Sequence, residues 1–511
     1  MQRIELIAPR PRTDHRLILG GFFLALLTAA AAFILGGALD IERQVLLLVI
    51  VDVLLLTTLV ALYDITNAVI LWLFALTCIT RYTQLNLPGI PDMSGPRFML
   101  VLMWAVFFIQ VALRRRTPLP VGGIELMMLL FVGVNLASMI QHENLVHSAT
   151  RVSPITAFMN FVVFPFSVYY LMRNSGASDG ATRKLLIALG VLQIYLVLTG
   201  ILEHYRVKWL MFPPDILDPK AGDGRWYGVR IRGPYLHSPV YGATMGMGFF
   251  ILLHLYHNTR SRWRWPLLIG LLASPLAGFY TLTRQVWLGF LVPLLIGAAF
   301  SRHQRIALGI FVLAGAMFVV MINPAAIIDP EVARSRATEE ATGESRLAHY
   351  VVGFHMFLDR PLFGHGLENW DLSWESYRQR LGTVRTWFGD IHMAMARNIH
   401  AHNTFLRIAV ELGLAGLIPY VTIFLLIFRA SRHLYRYSAP QGLYGRDLVL
   451  MFWQSGLAFI ICINFVDPSF DEFLPGFFLV LAAVIVRRAE LLRAGPEAAA
   501  AAGTSFGEGE R

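Results

Sequence analysis

Apolar residues in this chain come in long runs, and the runs recur from Leu17 to Val486. Each is near the ~20 residues an α-helix needs to cross a bilayer. The pattern predicts spans at about 17–35, 44–62, 65–80, 97–113, 122–140, 155–172, 185–202, 239–256, 265–281, 285–300, 305–323, 404–428, 447–465 and 473–487. That makes roughly fourteen helices, or twelve if the closely spaced second and third merge or re-enter. The expected fold is all-α: a polytopic transmembrane helical protein of about 12–14 spans with a long, partly helical outer loop.

The polar stretches between the runs are of two kinds. The short ones are basic: Arg114–Arg116; Arg173, Arg183 and Lys184; Arg260, Arg262 and Arg264; Arg302 and Arg305; Arg429, Arg432 and Arg436; Arg487 and Arg488. With the N-terminus in the cytoplasm, alternation puts all of them there, as the positive-inside rule requires. The C-terminus is then cytoplasmic too. The long loops, 203–238 and 323–403, take the opposite face with the turn at Thr283–Arg284 and the segment Asp467–Glu472. In a bacterial inner membrane that face is the periplasm. Helical patterning around Arg346–Leu358, with Tyr350, Val351, Phe354 and Phe357–Leu358 as an apolar stripe, predicts a small cap lying on the membrane. Arg10, Arg12 and Arg16 ahead of 17–35 read as flanks of a retained first span, not of a cleaved signal. The domain reading is 1–184, N-terminal transmembrane helices; 185–428, a central region with both long loops; 429–488, C-terminal helices; and 489–511, a low-complexity tail expected to be disordered.

Composition sharpens this picture. The chain is 56% hydrophobic and 15% charged, against about 25% charged for a soluble domain. Its net charge of +10 is accounted for by cytoplasmic anchoring residues and implies no nucleic acid. Cys78 and Cys462 both fall inside apolar runs, so neither a disulfide nor a thiolate metal site is expected. Asp467, Asp471 and Glu472 lie close together but lack further ligands. There is no nucleotide loop and no dinucleotide fingerprint. The expected site holds no metal and no cofactor.

The chemistry-bearing residues gather on the outer face. In HAHNTFLRIAVELGLAG (400–416), Asn403 and Thr404 are helix-capping types and Phe405, Ile408, Ala409 and Leu412 follow a helical period. His402 therefore stands just outside a helix N-terminus, where unpaired N–H groups suit an anion and an imidazole can do acid–base work. His400 competes with it. Arg407 and Glu411, spaced i, i+4, read first as a pair that neutralises itself within the membrane helix. Arg284 is the one charge in Trp265–Phe300, at the tip of a hairpin, and is costly there unless it reaches water or an anion. Arg225, Arg230 and Arg232 precede the helix start Ser238–Pro239, and guanidinium forks there favour phosphate or diphosphate. Arg346 is a further candidate for anion contact. Pro361, Gly364 and Gly366 read as turn residues.

HNTFLRIAVELGLAG, TLTRQVWLGF, RIRGPYLHSP and SRLAHYVVGFHMFLDRPLFGHGLENW together resemble the O-antigen ligase/polymerase superfamily, membrane glycosyltransferases of surface-polysaccharide assembly. The resemblance covers roughly Leu185–Leu425. It implies transfer of a glycan from undecaprenyl diphosphate to an acceptor hydroxyl at the periplasmic face, inverting at C1, without metal or nucleotide. The acceptor it implies is lipid A–core in a ligase, or another lipid-linked repeat unit in a polymerase of O-antigen or exopolysaccharide; the long outer loop leans the reading to polymerase. By motif, the family's essential histidine falls on His402, its hairpin arginine on Arg284, and its arginine before the next outer helix on Arg230 or Arg232. Arg346 joins the diphosphate set, with Asn403, Arg407 and Glu411 in support. Membrane lipids and other polysaccharide-assembly proteins are the further partners. A transporter or flippase of lipid-linked saccharides is the competing reading, for which Asp52, alone in an apolar run, is the best residue. A structural scaffold is the third.

Overall fold

The computed structural model describes residues 55–78, 94–140, 153–175, 177–219, 230–300, 302–321, 330–386, 389–393, 401–465 and 472–501. The transmembrane helices before the first long loop are α1 (Ile65–Cys78), α2 (Gly95–Ala112), α3 (Gly123–Ile140), α4 (Pro154–Ser175) and α5 (Asp179–His204). After it come α6 (Ser238–Asn258), α7 (Arg264–Tyr280), α8 (Arg284–Phe300) and α9 (Arg302–Met321). The second long loop holds α10 (Pro330–Asp359), α11 (Trp370–Leu381) and a hairpin of β1 (Thr383–Thr386) and β2 (Gly389–His392), antiparallel with Val384 opposite Ile391. Then follow α12 (Thr404–Tyr437), α13 (Arg446–Ile463), α14 (Phe473–Ala494) and a short α15 (Pro496–Ala501).

The all-α, polytopic expectation holds. Every expected span from 65–80 to 473–487 coincides with one of these helices, and seven of them are long and apolar enough to cross a membrane by length and composition. The expected span 17–35, most of 44–62 with Asp52, Arg225, His400, Asp467, Asp471 and residues 502–511 of the C-terminal tail lie outside the described residues. The starts follow sequence signals. Ser178 caps α5 by accepting from the Ala181 N–H at 3.1 Å, and α6 begins with Pro239 in its first turn.

The bundle is built around α6, whose most apolar window is 94% buried. Small residues let helices approach it: a Cβ on Gly246 would sit 3.6 Å from Ala458 of α13 and 3.7 Å from the Gly289 carbonyl of α8. Polar side chains tie the apolar interior together. Gln304 and Gln454 exchange amide hydrogen bonds at 3.1 and 3.0 Å, and Ser455 Oγ donates to the Met247 carbonyl at 3.0 Å. Helix α8 runs antiparallel to α13, with Gln454 Nε2 donating to the Pro293 carbonyl at 3.0 Å and Gly289 facing Cys462. Arg284, at the start of α8, is thus at the end of the bundle where α13 finishes.

In the large loop the helical stretch expected over Arg346–Leu358 is present in α10, and the loop packs on itself. It has its own core: Ala348, Val352 and Met356 of α10, Trp370 and Trp374 of α11, Ile391, Met393, Ala401 and Val410 of α12. The face of α10 buried in this core lies apart from the stripe expected to meet the membrane. Phe354 and Leu358 are more than half exposed, while Val352 and Met356 are fully buried.

Candidate functional site

The site grows from the start of α12. Asn403 caps it, its side-chain oxygen accepting from the Leu406 N–H at 2.9 Å. The chain enters that cap with His402 in the left-handed region at φ 50°, a conformation that costs a non-glycine residue about 1–3 kcal/mol. Asn403 Nδ2 also donates to Asn464 Oδ1 at 3.3 Å, and the Asn464 carbonyl accepts from the Tyr350 hydroxyl at 3.4 Å. One residue at the end of α13 therefore ties the α12 cap to α10. Arg346, His349 and Tyr350 share a face of α10 by their i, i+3, i+4 spacing. The Arg346 guanidinium lies 5.7 Å from the Phe465 ring centroid. The His349 ring stacks on Trp374 (centroids 5.3 Å, 16°) and meets His402 edge-on (6.2 Å, 73°).

Nine residues into α12 the helix breaks at Gly413 (φ 63°, ψ −160°). The loop Pro361–Gly366 fills the break. The freed carbonyls of Val410 and Glu411 accept from the His365 and Gly366 N–H groups, both at 2.8 Å. The freed N–H groups of Leu414 and Ala415 donate to the Pro361 and Leu362 carbonyls at 2.8 and 3.0 Å. The loop thus takes the hydrogen bonds that a continuous helix would have made with itself. Gly364 (φ 70°) is required as closely as Gly413, since a Cβ there would lie 2.4 Å from the Glu411 backbone.

Beside the break, Arg407 forms a buried ion cluster. Its Nε donates to Glu411 Oε1 at 3.1 Å and its Nη2 to Glu368 Oε1. The expected Arg407–Glu411 pair is present, and Glu368, carried on the interlocked loop, completes it. Next to it His365 Nε2 donates to the Met356 carbonyl at 2.9 Å. Burial holds the His365 imidazole below its usual value, opposed by that hydrogen bond.

The arginines of the other loops form a second group at the same end. Arg284 is exposed at the first position of α8. The Ile231 N–H donates to the Tyr280 carbonyl at 3.3 Å, tying the Arg230–Arg232 strip to the hairpin that carries Arg284. The two arginines of the strip differ sharply. Arg232 is fully buried, and its Nη2 donates to the Ile216 and Asp218 carbonyls at 3.0 and 2.9 Å, with Glu203 beside it. Glu203 in turn accepts from the backbone N–H groups of Arg232 and Gly233 at 2.8 to 3.1 Å. Arg232 thus folds the loop, whereas Arg230 is only partly buried. The sequence could not separate them, because the partners that bury Arg232, the Ile216 and Asp218 carbonyls, come from another part of the loop.

His402, Asn403 and Arg346 meet in one corner, Arg284 and Arg230 lie in the adjoining group, and Arg407 and Glu411 lie behind the corner. His349, Asn464 and Glu368 were not singled out in the sequence. His349 was legible as a neighbour of Arg346 at helical spacing; Asn464 and Glu368 carried no local signal.

Residues 268–421 match the family model described as O-Antigen ligase, a stretch running from within α7 to within α12. It takes in Arg284, Arg346, His402, Arg407 and Glu411, and Arg230 and Arg232 precede it. A search of curated proteins finds no match for the chain.

Proposed function

On the premise that the chain belongs to the O-antigen ligase/polymerase superfamily, we propose that it transfers a glycan from undecaprenyl diphosphate to an acceptor hydroxyl at the periplasmic face of the inner membrane. The observation that carries this reading is the corner itself. A histidine sits at a capped helix N-terminus facing His349, one turn along α10 from Arg346, at the end of the bundle that also presents Arg284. Neutral His402 accepts the proton of the acceptor hydroxyl as that oxygen forms its bond to C1. The bond from C1 to the diphosphate oxygen breaks, and Arg284, Arg230 and Arg346 stabilise the charge that develops there. Attack opposite the leaving group inverts the anomer. Asn403 holds the cap, and Arg407 with Glu411 and Glu368 holds the helix behind it. Ligase and polymerase differ in acceptor alone; we favour a polymerase of O-antigen or exopolysaccharide from the length of the outer loop.

A broken helix with charged residues is also a transporter feature, so the flippase reading has one observation in its favour. In transporters such a break lines a cavity. Here the protein's own loop fills it and takes up the freed backbone groups, which favours the enzyme.

The test is transfer by the purified protein in detergent with an undecaprenyl-diphosphate oligosaccharide donor and EDTA present, wild type beside His402→Ala and His400→Ala. The expected result is activity that survives EDTA and His400→Ala and is lost with His402→Ala. Lengthening of the donor without added lipid A–core identifies a polymerase, and dependence on that core a ligase. Folded protein that transfers to neither acceptor refutes the proposal in favour of transport.

A further inference from the structure

We infer that Gln285 is a further contact for the diphosphate of the donor, its side-chain amide donating to a phosphate oxygen beside Arg284; the inference rests on the transferase reading. Gln285 is 3% exposed, and its Nε2 is buried with no acceptor among the described residues. The other buried glutamines among those residues are all engaged. Gln193 donates to the Met245 carbonyl at 3.2 Å, and Gln304 and Gln454 pair with each other. A buried amide donor without an acceptor destabilises the free protein, so it calls for an acceptor that arrives from outside the chain.

The place of the amide follows from the helix. A Cβ on Gly289 would lie 3.5 Å from Cys462 Sγ and 3.7 Å from the Ala458 carbonyl, so that face of α8 meets α13. Gln285 stands four residues earlier on the same face, and its side chain leans toward the start of α8. Because the two helices are antiparallel, this directs it to the end of α13, past Cys462, where Asn464 joins the Asn403 cap and Phe465 meets Arg346. Val286, the next residue, turns instead to Gly242 of α6. Gln285 thus lies between the two groups of arginines, that of Arg284 and that of Arg346.

The start of α8 supplies the rest of an anion site. The Thr283 carbonyl accepts from the Val286 and Trp287 N–H groups at 3.0 and 3.4 Å, and the Thr283 hydroxyl donates to the Thr281 carbonyl at 2.9 Å. The N–H groups of Arg284 and Gln285, the first two of the helix, have no acceptor within it and carry the positive end of its dipole. Arg284 itself is exposed. A diphosphate that reaches its guanidinium lies one residue from the Gln285 amide, and rotation about the glutamine side-chain torsions brings Nε2 to it. As the C1–O bond breaks and its electrons stay with the diphosphate, the same N–H stabilises the added charge.

The experiment measures binding of undecaprenyl diphosphate to the purified full-length protein in detergent, with undecaprenol as the chain that lacks phosphate. Wild type, Gln285→Met and Gln285→Glu are compared, with the melting temperature of each free protein. Methionine keeps length and flexibility and removes the donor. Glutamate keeps the shape and puts a carboxylate where the amide stood. The expected result for Gln285→Met is an unchanged or raised melting temperature, since no internal hydrogen bond is lost. It should hold undecaprenyl diphosphate about 10-fold more weakly and undecaprenol as wild type does, with kcat/KM of transfer reduced to match. Gln285→Glu should bind undecaprenyl diphosphate more weakly still, by like-charge repulsion. Wild-type affinity in Gln285→Met would overturn the inference. So would a fall in its melting temperature or a failure to fold, either of which assigns the amide an internal role. Weaker binding of the glycan-bearing donor alone, with undecaprenyl diphosphate unaffected, would overturn it too and move the contact to a sugar hydroxyl. Wild type that binds undecaprenyl diphosphate and transfers no glycan is a separate result: it sinks the transferase reading and leaves the diphosphate contact standing.

Discussion

Replacing Gly413 by alanine tests whether the interlock at the break holds the site together. Gly413 occupies φ 63° and ψ −160°, a region that only glycine adopts readily, so alanine carries about 1–3 kcal/mol of strain. Its Cβ would lie 2.4 Å from the carbonyl carbon and oxygen of Leu362, and both are backbone atoms held by the Ala415 hydrogen bond. The clash is relieved only by moving the loop. Expelling it forfeits the four hydrogen bonds between 361–366 and 410–415, each about 1 kcal/mol net. Strain and lost bonds together come to about 6 kcal/mol. Part of this returns if Val410 and Glu411 re-pair with Leu414 and Ala415 in a continuous helix. Helicity is therefore the wrong readout, because the relaxed variant gains helix while losing the loop. Hydrogen exchange of the peptide around Gly364–Gly366, with transfer activity, is the right one. The expected outcome is fast exchange at His365 and Gly366, displacement of Glu368 from Arg407, a lower melting temperature and little activity. Gly309→Ala is the control, since a Cβ there meets nothing within 4 Å. A Gly413→Ala protein with wild-type exchange protection and melting would refute the reasoning.

Two further outcomes separate structural from chemical roles. Arg232→Ala leaves Glu203 and the Ile216 and Asp218 carbonyls without their buried partner, so it should cost about 3–5 kcal/mol of stability and lower the melting temperature. Arg230→Ala should leave melting unchanged and reduce transfer instead; the reverse pattern refutes the assignment. For pH, burial depresses the His365 imidazole in the folded state. The unfolded chain then binds the proton first, and stability falls as pH drops from the ordinary histidine value near ~6.5 through the folded one. Melting followed from pH 7.5 to about 5 should decline, and His365→Gln should flatten the decline. An unchanged slope in that variant would remove His365 as its source.

The apolar runs were enough to place the membrane helices, because span length is set by the bilayer and not by neighbours. Asn403 announced its helix start for an equally local reason, since a cap needs only its own side chain and the N–H three residues on. What stayed hidden depended on distant partners. ELGLAG reads as uninterrupted helix until a loop some fifty residues earlier in the chain is found inside it. Arg407 and Glu411 were legible as a pair, but Glu368 joins them only through that loop. The face of α10 that packs into the loop's own core was not singled out, because its cover, Trp370, Trp374 and Ile391, lies in other elements.

The break also sets the depth of the site. Arg429, Arg432 and Arg436 are exposed on α12 and mark where it leaves the apolar layer. Leu414 stands fifteen residues before Arg429, roughly 22 Å along the helix, inside a hydrocarbon layer of about 30 Å. Leu362 and Phe363, which the interlock holds beside it, are 60% and 72% exposed, as are Leu414 and Ile418 in part. They continue the lipid-facing side of the helix. In that layer no water could satisfy the backbone groups freed at Gly413, so a break there stands only if protein fills it. Filling it from the cap is what fixes the cap to the membrane. The interlock at Gly413 and the capped start at Asn403 then belong to one segment, on which the proposed chemistry of His402 depends.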